Sequence, residues 1–101
     1  MRPLMHGDIT HAARALLAVP RLARVHVCGD LMRRADWADC YRKRLGRPHP
    51  SWGNGTLAAA ARSRPIARER TLDDLEYCRC VALVLAGIMA RKQVRAARCR
   101  G

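Results

Sequence analysis

Phenylalanine is absent from this sequence, and Trp37, Trp52, Tyr41 and Tyr77 are its only aromatic residues. β-Branched residues are sparse as well, so the side chains that fill strands are largely missing and sheet architectures are disfavoured. Carboxylates are few, eight Asp and Glu against 20 Lys and Arg, and most of those eight are accounted for as helix caps or surface pairs. A general acid or base with its orienting partner is therefore not on offer, and an enzyme is not expected. Lysine is nearly absent too: Lys43 and Lys92 are the only two, so the basic excess is almost entirely arginine. The longest uncharged helical run, Cys80 to Ala90, falls well short of the ~20 apolar residues that span a bilayer, which argues against a membrane segment. No secretory pattern precedes the cysteines, because His6, Asp8 and His11 interrupt the first apolar stretch. Cys28, Cys40, Cys78, Cys80 and Cys99, an odd number, thus read as free thiols in a reducing cytoplasm. His6, His11, His26 and His49 form no H-x-x-x-H or H-E-x-x-H arrangement. Cys78 and Cys80 would point about 200° apart on a helix, so neither a metal site nor a cofactor is expected.

What is present is alanine, leucine and arginine, in periodic order. At 101 residues the chain suits one hydrophobic core, and residues 1–101 read as a single domain. The composition favours an all-α fold: a small bundle of about four helices with a Pro/Gly-rich loop at 46–55. Asp8 can cap a first helix over residues 9–19, with Ile9, Ala12, Ala13, Leu16 and Leu17 on its buried face and Pro20 ending it. A second helix is predicted over 21–45, with Leu22, Val25, Cys28, Met32 and Ala35 on one stripe and Ala38, Tyr41 and Leu45 on the next. Gly29 and Asp30 make it either continuous with a weak point or two shorter pieces; the continuous form is preferred. Gly46 suits a C-terminal cap, and Thr56 caps a short helix over 57–62. Thr71 with Asp74 approximates a capping box that opens the last helix, running to Ala90. Two apolar stripes run along that helix: Leu72, Leu75, Cys78, Ala82, Leu85 and Met89, and beside it Tyr77, Val81, Val84 and Ile88. Apolar around so much of its circumference, it should be the centre of the bundle. Beyond it, residues 91–101 form a basic tail expected to be partly disordered.

The formal net charge of +12 attracts polyanions. GC-rich coding would account for arginine in place of lysine, though not for the excess of cations. Arg33, Arg34, Arg42, Lys43, Arg44 and Arg47 interleave with Trp37 and Tyr41. On a helix, positions 33, 37, 41 and 44 lie near one line, so Arg33 and Arg44 would flank an aromatic pair along a phosphate path. The competing reading is a solvated face balanced by Asp36 and Asp39 through partners such as Arg33, Arg42 and Lys43. The loop from His49 to Gly55 could present backbone N–H groups to an anion at the following helix start, but Gly53-Asn54-Gly55 is also what a tight turn requires, and the turn is the better reading. Trp52 is either a plug over the core or, beside Arg47 and His49, a platform for a base. Arg95, Arg98 and Arg100 add tail cations.

The segments His6 to Asp8 (HGD) and Tyr41 to Leu57 (YRKRLGRPHPSWGNGTL) resemble a family of small, uncharacterised helical proteins of alphaproteobacteria. The Trp52-Gly53-Asn54-Gly55 loop is the most specific part. That resemblance implies a helical fold and a bacterial cytoplasmic setting, and brings no activity and no functional residues. The functional expectation therefore rests on the residues themselves. It is a non-enzymatic accessory or regulatory protein that binds an anionic partner, nucleic acid (DNA or RNA) foremost, through Arg33, Arg34, Arg42, Lys43, Arg44, Arg47, Trp52, Arg95 and Arg98. The alternative is a helical protein-interaction module, acting as a homodimer or as an adaptor to an acidic protein surface.

Overall fold

A computed structural model describes the backbone of residues 1–100 and the side chains of residues 1–97. Among these are four α-helices, a single 3-10 turn at Arg21–Ala23 and no strand: α1 (His6–Leu17), α2 (Arg24–Leu45), α3 (Leu57–Arg62) and α4 (Leu75–Arg100). The all-α expectation holds. Among the described residues no helix is long and apolar enough to cross a membrane.

The hub is α1, which packs against α2, α3 and α4 and makes its most extensive contacts with α3 and α4. Small side chains explain this, since Ala12, Ala13 and Ala15 are buried beside Leu16 and let three helices approach one. Arg14 latches the 63–70 linker onto α1: its Nε donates to the Ala67 carbonyl at 2.8 Å, and the Ala67 N–H returns a bond to the Arg14 carbonyl at 3.0 Å. The core is completed by Val27, Cys28, Leu31 and Met32 of α2, Leu57 and Ala61 of α3, and Tyr77, Cys80, Val84 and Ile88 of α4.

Several boundaries differ from the sequence reading. α1 begins at His6, so Asp8 is not the residue before the helix but sits in its first turn and accepts the Met5 N–H at 2.8 Å. Its other oxygen accepts Ala58 N–H at 2.9 Å, so one buried carboxylate caps α1 and α3 together. The 3-10 turn delays α2 to Arg24 and shifts its phase: Leu22 and Val25, expected in the core, are 98% and 69% exposed. α2 passes through Gly29 unbroken. Gly46 ends it in the left-handed conformation expected of a cap. At the start of α4, Asp74 rather than Thr71 is the cap, its Oδ1 accepting Tyr77 N–H at 3.1 Å. Only one of the two α4 stripes is core, with Tyr77, Val84 and Ile88 buried while Leu75, Leu85 and Met89 are exposed. α4 is therefore a flanking helix, not the centre. It also continues past Ala90 to Arg100, through the segment expected to be a basic, partly disordered tail.

The loop between α2 and α3 is shaped by contact. Gly53 and Gly55 have φ of +82° and +92°; a Cβ on Gly53 would lie 2.6 Å from Ala59 Cβ, and one on Gly55 would lie 2.8 Å from the Asp39 backbone. The WGNG sequence thus allows the loop to press onto both α3 and α2.

Candidate functional site

The buried stripe of α2 leaves its opposite side to solvent. Trp37 stands there 69% exposed. With Asp36, Cys40, Tyr41, Arg44 and Leu45 of the same helix and His49 of the loop, it lines an open concavity of about 680 Å³. His49 is firmly placed. Its Nδ1 accepts the N–H groups of Ser51 and Trp52 at 3.0 and 3.1 Å, and its backbone exchanges two hydrogen bonds with Gly53. Its ring stacks on Trp52 (centroids 4.6 Å apart, planes 6° apart) and meets Tyr41 edge-on at 4.9 Å. The Arg34 guanidinium lies over the Trp52 ring, 5.5 Å from its centroid. Trp52 is thus neither a core plug nor an open platform: it is a half-buried buttress, and the exposed aromatic is Trp37.

The predicted cations fare unequally. Asp30 holds Arg34 at 3.0 Å and Arg33 at 3.8 Å. Asp39 is buried and holds Arg42 at 3.0 Å, Lys43 at 3.2 Å and the N-terminal ammonium at 3.5 Å. Burial opposes its charge, but the hydrogen bonds from Arg42 and Lys43, helped by the ammonium, outweigh this and keep its pKa below the ordinary aspartate value. Arg44 and Arg47, both exposed, have no carboxylate within 4 Å among the described residues. The solvated-face reading therefore describes Arg42 and Lys43 well, and Arg44 and Arg47 poorly.

Asp36 does not pair with Arg33 along the helix, as the spacing had suggested. It binds the N-terminal ammonium at 2.6 Å, Arg91, and Arg95 at 3.6 Å, joining α2 to the basic end of α4. Beyond it Arg2, Arg91, Lys92 and Arg95 line a second concavity of about 360 Å³ with Met1, Pro3, Leu4 and Ile88. Desolvation, with Arg95 and Arg33 close by, lowers the pKa of Arg91. The fold thus brings Arg95 to the same side as the α2 cations; the side chain of Arg98 lies outside the described residues, as does that of Arg100. Sequence reasoning missed Arg2 and had Arg91 and Lys92 only as members of a basic tail; it named Trp37 with Tyr41 as the aromatic pair on the 33, 37, 41, 44 line but placed Trp52, not Trp37, among the binding residues.

The loop forms the tight turn that the sequence analysis preferred, and several N–H groups at the start of α3 are already used within the chain. At the start of α3, Ala58 N–H goes to Asp8, Ala59 N–H to Thr56 Oγ1 at 3.1 Å and Ala60 N–H to the Thr56 carbonyl at 3.2 Å, while Asn54 Oδ1 accepts from Thr56. Among the described residues no group of three or more His, Cys, Asp or Glu is placed to hold a metal ion.

A family model described as a domain of unknown function (DUF7742) matches residues 2–88. That span takes in the hub helix, the α2 face, the WGNG loop and the buried half of α4. No curated protein and no solved structure matches the chain.

Proposed function

We propose that this chain, which belongs to the domain-of-unknown-function family DUF7742, is a non-enzymatic accessory protein that binds single-stranded nucleic acid in a bacterial cytoplasm. One observation carries the reading: Trp37, largely exposed, stands with Tyr41 at the rim of an open groove whose cation, Arg44, has no carboxylate within 4 Å among the described residues. A tryptophan held in water on a rigid helix costs solvation free energy that a stacked base would recover. Phosphates would meet Arg44 and Arg47, and the α4 cations Arg91, Lys92 and Arg95 extend the positive track past Asp36. Such contacts give affinity with little sequence preference. Arg42 and Lys43, spent on Asp39, contribute field rather than direct contacts.

The test is fluorescence anisotropy of labelled single-stranded RNA and DNA and of a duplex, comparing the intact chain with Trp37→Ala and with Arg44→Ala/Arg47→Ala. The single strands should bind better than the duplex, and Trp37→Ala should weaken them by roughly 1–3 kcal/mol, the worth of a stacked base. Equal binding by wild type and Trp37→Ala would remove the groove from the interaction. The alternative, a helical protein-interaction module, rests on a different surface, the outward side of α4.

A further inference from the structure

On α4, Leu75, Cys78, Ala82, Leu85 and Met89 are all exposed, with Leu75, Leu85 and Met89 at 62%, 44% and 58%. They succeed one another at alternating spacings of three and four, the register of a helix-pairing seam, on the side away from the buried stripe of Tyr77, Cys80, Val84 and Ile88. The charges around this seam are ordered. At its start Asp74 is held by Arg70, and Glu76 by Arg21, Arg24 and Arg79, which leaves Asp73 open; residues 80–90 carry no charge, and Lys92 and Arg95 stand at its end. Asp73 and Lys92 have no ionic partner within 4 Å among the described residues, so each end retains a free charge.

We propose that the seam is covered by α4 of a second copy of this chain, the two helices running antiparallel about a twofold axis. A twofold presents the same patch from both sides and therefore requires self-complementarity. The antiparallel direction supplies it, setting the unpaired Asp73 of each copy against the unpaired Lys92 of the other, opposing the helix dipoles favourably and leaving the uncharged middle to pack. A parallel pair would place Lys92 on Lys92. An acidic foreign helix would satisfy only the basic end and would leave Asp73 facing like charge. The α2 groove lies on another helix, so pairing through α4 leaves Trp37, Arg44 and Arg47 open, and of the positive track only Lys92 and Arg95 adjoin the seam.

Sedimentation equilibrium of the full chain, free of nucleic acid and at about 0.15 M salt, where exposed charges closer than about 8 Å still interact, tests this. Wild type should sediment at twice 11.3 kDa at tens of micromolar. Leu85→Glu/Met89→Glu, on side chains exposed in the single chain, should sediment as a monomer with unchanged helical circular dichroism. Lys92→Glu should raise the dimer dissociation constant by about tenfold, and Asp73→Lys combined with Lys92→Glu should restore it. A wild-type monomer, or a dimer that the glutamate pair leaves intact, would overturn the proposal; a Lys92→Glu effect that Asp73→Lys does not reverse would overturn its antiparallel direction.

Discussion

Asp8 shows how much one side chain can do in a thin core. Its two oxygens satisfy an N–H of α1 and an N–H of α3, and it is buried, so loss of the carboxylate leaves two donors without partners. Asp8→Ala should cost roughly 2–3 kcal/mol in urea unfolding, more than an ordinary cap. Gly55 is the other sensitive point. Alanine there must adopt φ of +92° and place its Cβ 2.8 Å from the α2 backbone at Asp39. Gly55→Ala should cost roughly 3 kcal/mol, against about 1 kcal/mol for Gly46→Ala, which meets nothing within 4 Å. Asp39 sets part of the acid sensitivity. Its folded-state pKa is depressed, so its stabilising contribution is complete above the unfolded value of about 3.9 and is lost as pH falls through the lower folded value. Asp39→Asn should be less stable than wild type at neutral pH and show a flatter decline in melting temperature below about pH 4; parallel curves would mean that the ion cluster around Asp39 does not contribute.

At the scale of elements, legibility followed the range of the interactions that decide each feature. Gly46 and Thr56 act within a few residues of themselves, and both caps were readable from spacing. The phase of α2 near its start was not, because the 3-10 turn at 21–23 rotates Leu22 and Val25 outward, and that turn is held by tertiary contacts: Arg24 donates to the Leu16 carbonyl at 3.0 Å and to Glu76 at 2.7 Å. The two α4 stripes looked equally apolar in sequence. Which one is buried was decided by packing against α1, with its alanine-rich face, and by Gly87, where a Cβ would come within 3.0 Å of Met32 Cε and 3.3 Å of Cys28 Sγ. The dual role of Asp8 depends on a partner 50 residues away, beyond any local pattern. For the candidate site, the sequence supplied the line from Arg33 to Arg44 and, by spacing, the pairing of Asp39 with Arg42 and Lys43; it did not supply the long-range partners of Asp36 or the exposure of Trp37.

Across the whole molecule, charge and apolar surface are separated. The inward carboxylates Asp36 and Asp39 gather cations that would otherwise repel one another, leaving Arg44 and Arg47 as open charge beside the aromatic groove, while α4 keeps an uncharged seam on its outer side. The first surface suits a polyanion and the second suits another helix; each can fail without the other, since dimerisation is measured without nucleic acid. The groove is the central claim, and the salt dependence of single-strand binding tests it most directly, because each phosphate contact contributes about 0.7 to the slope of log affinity against log salt. Wild type should show a steep slope that Arg44→Ala/Arg47→Ala reduces by about 1.4. Binding that is absent at about 0.1 M salt, or a slope the double variant leaves unchanged, would contradict a role for this face in holding nucleic acid.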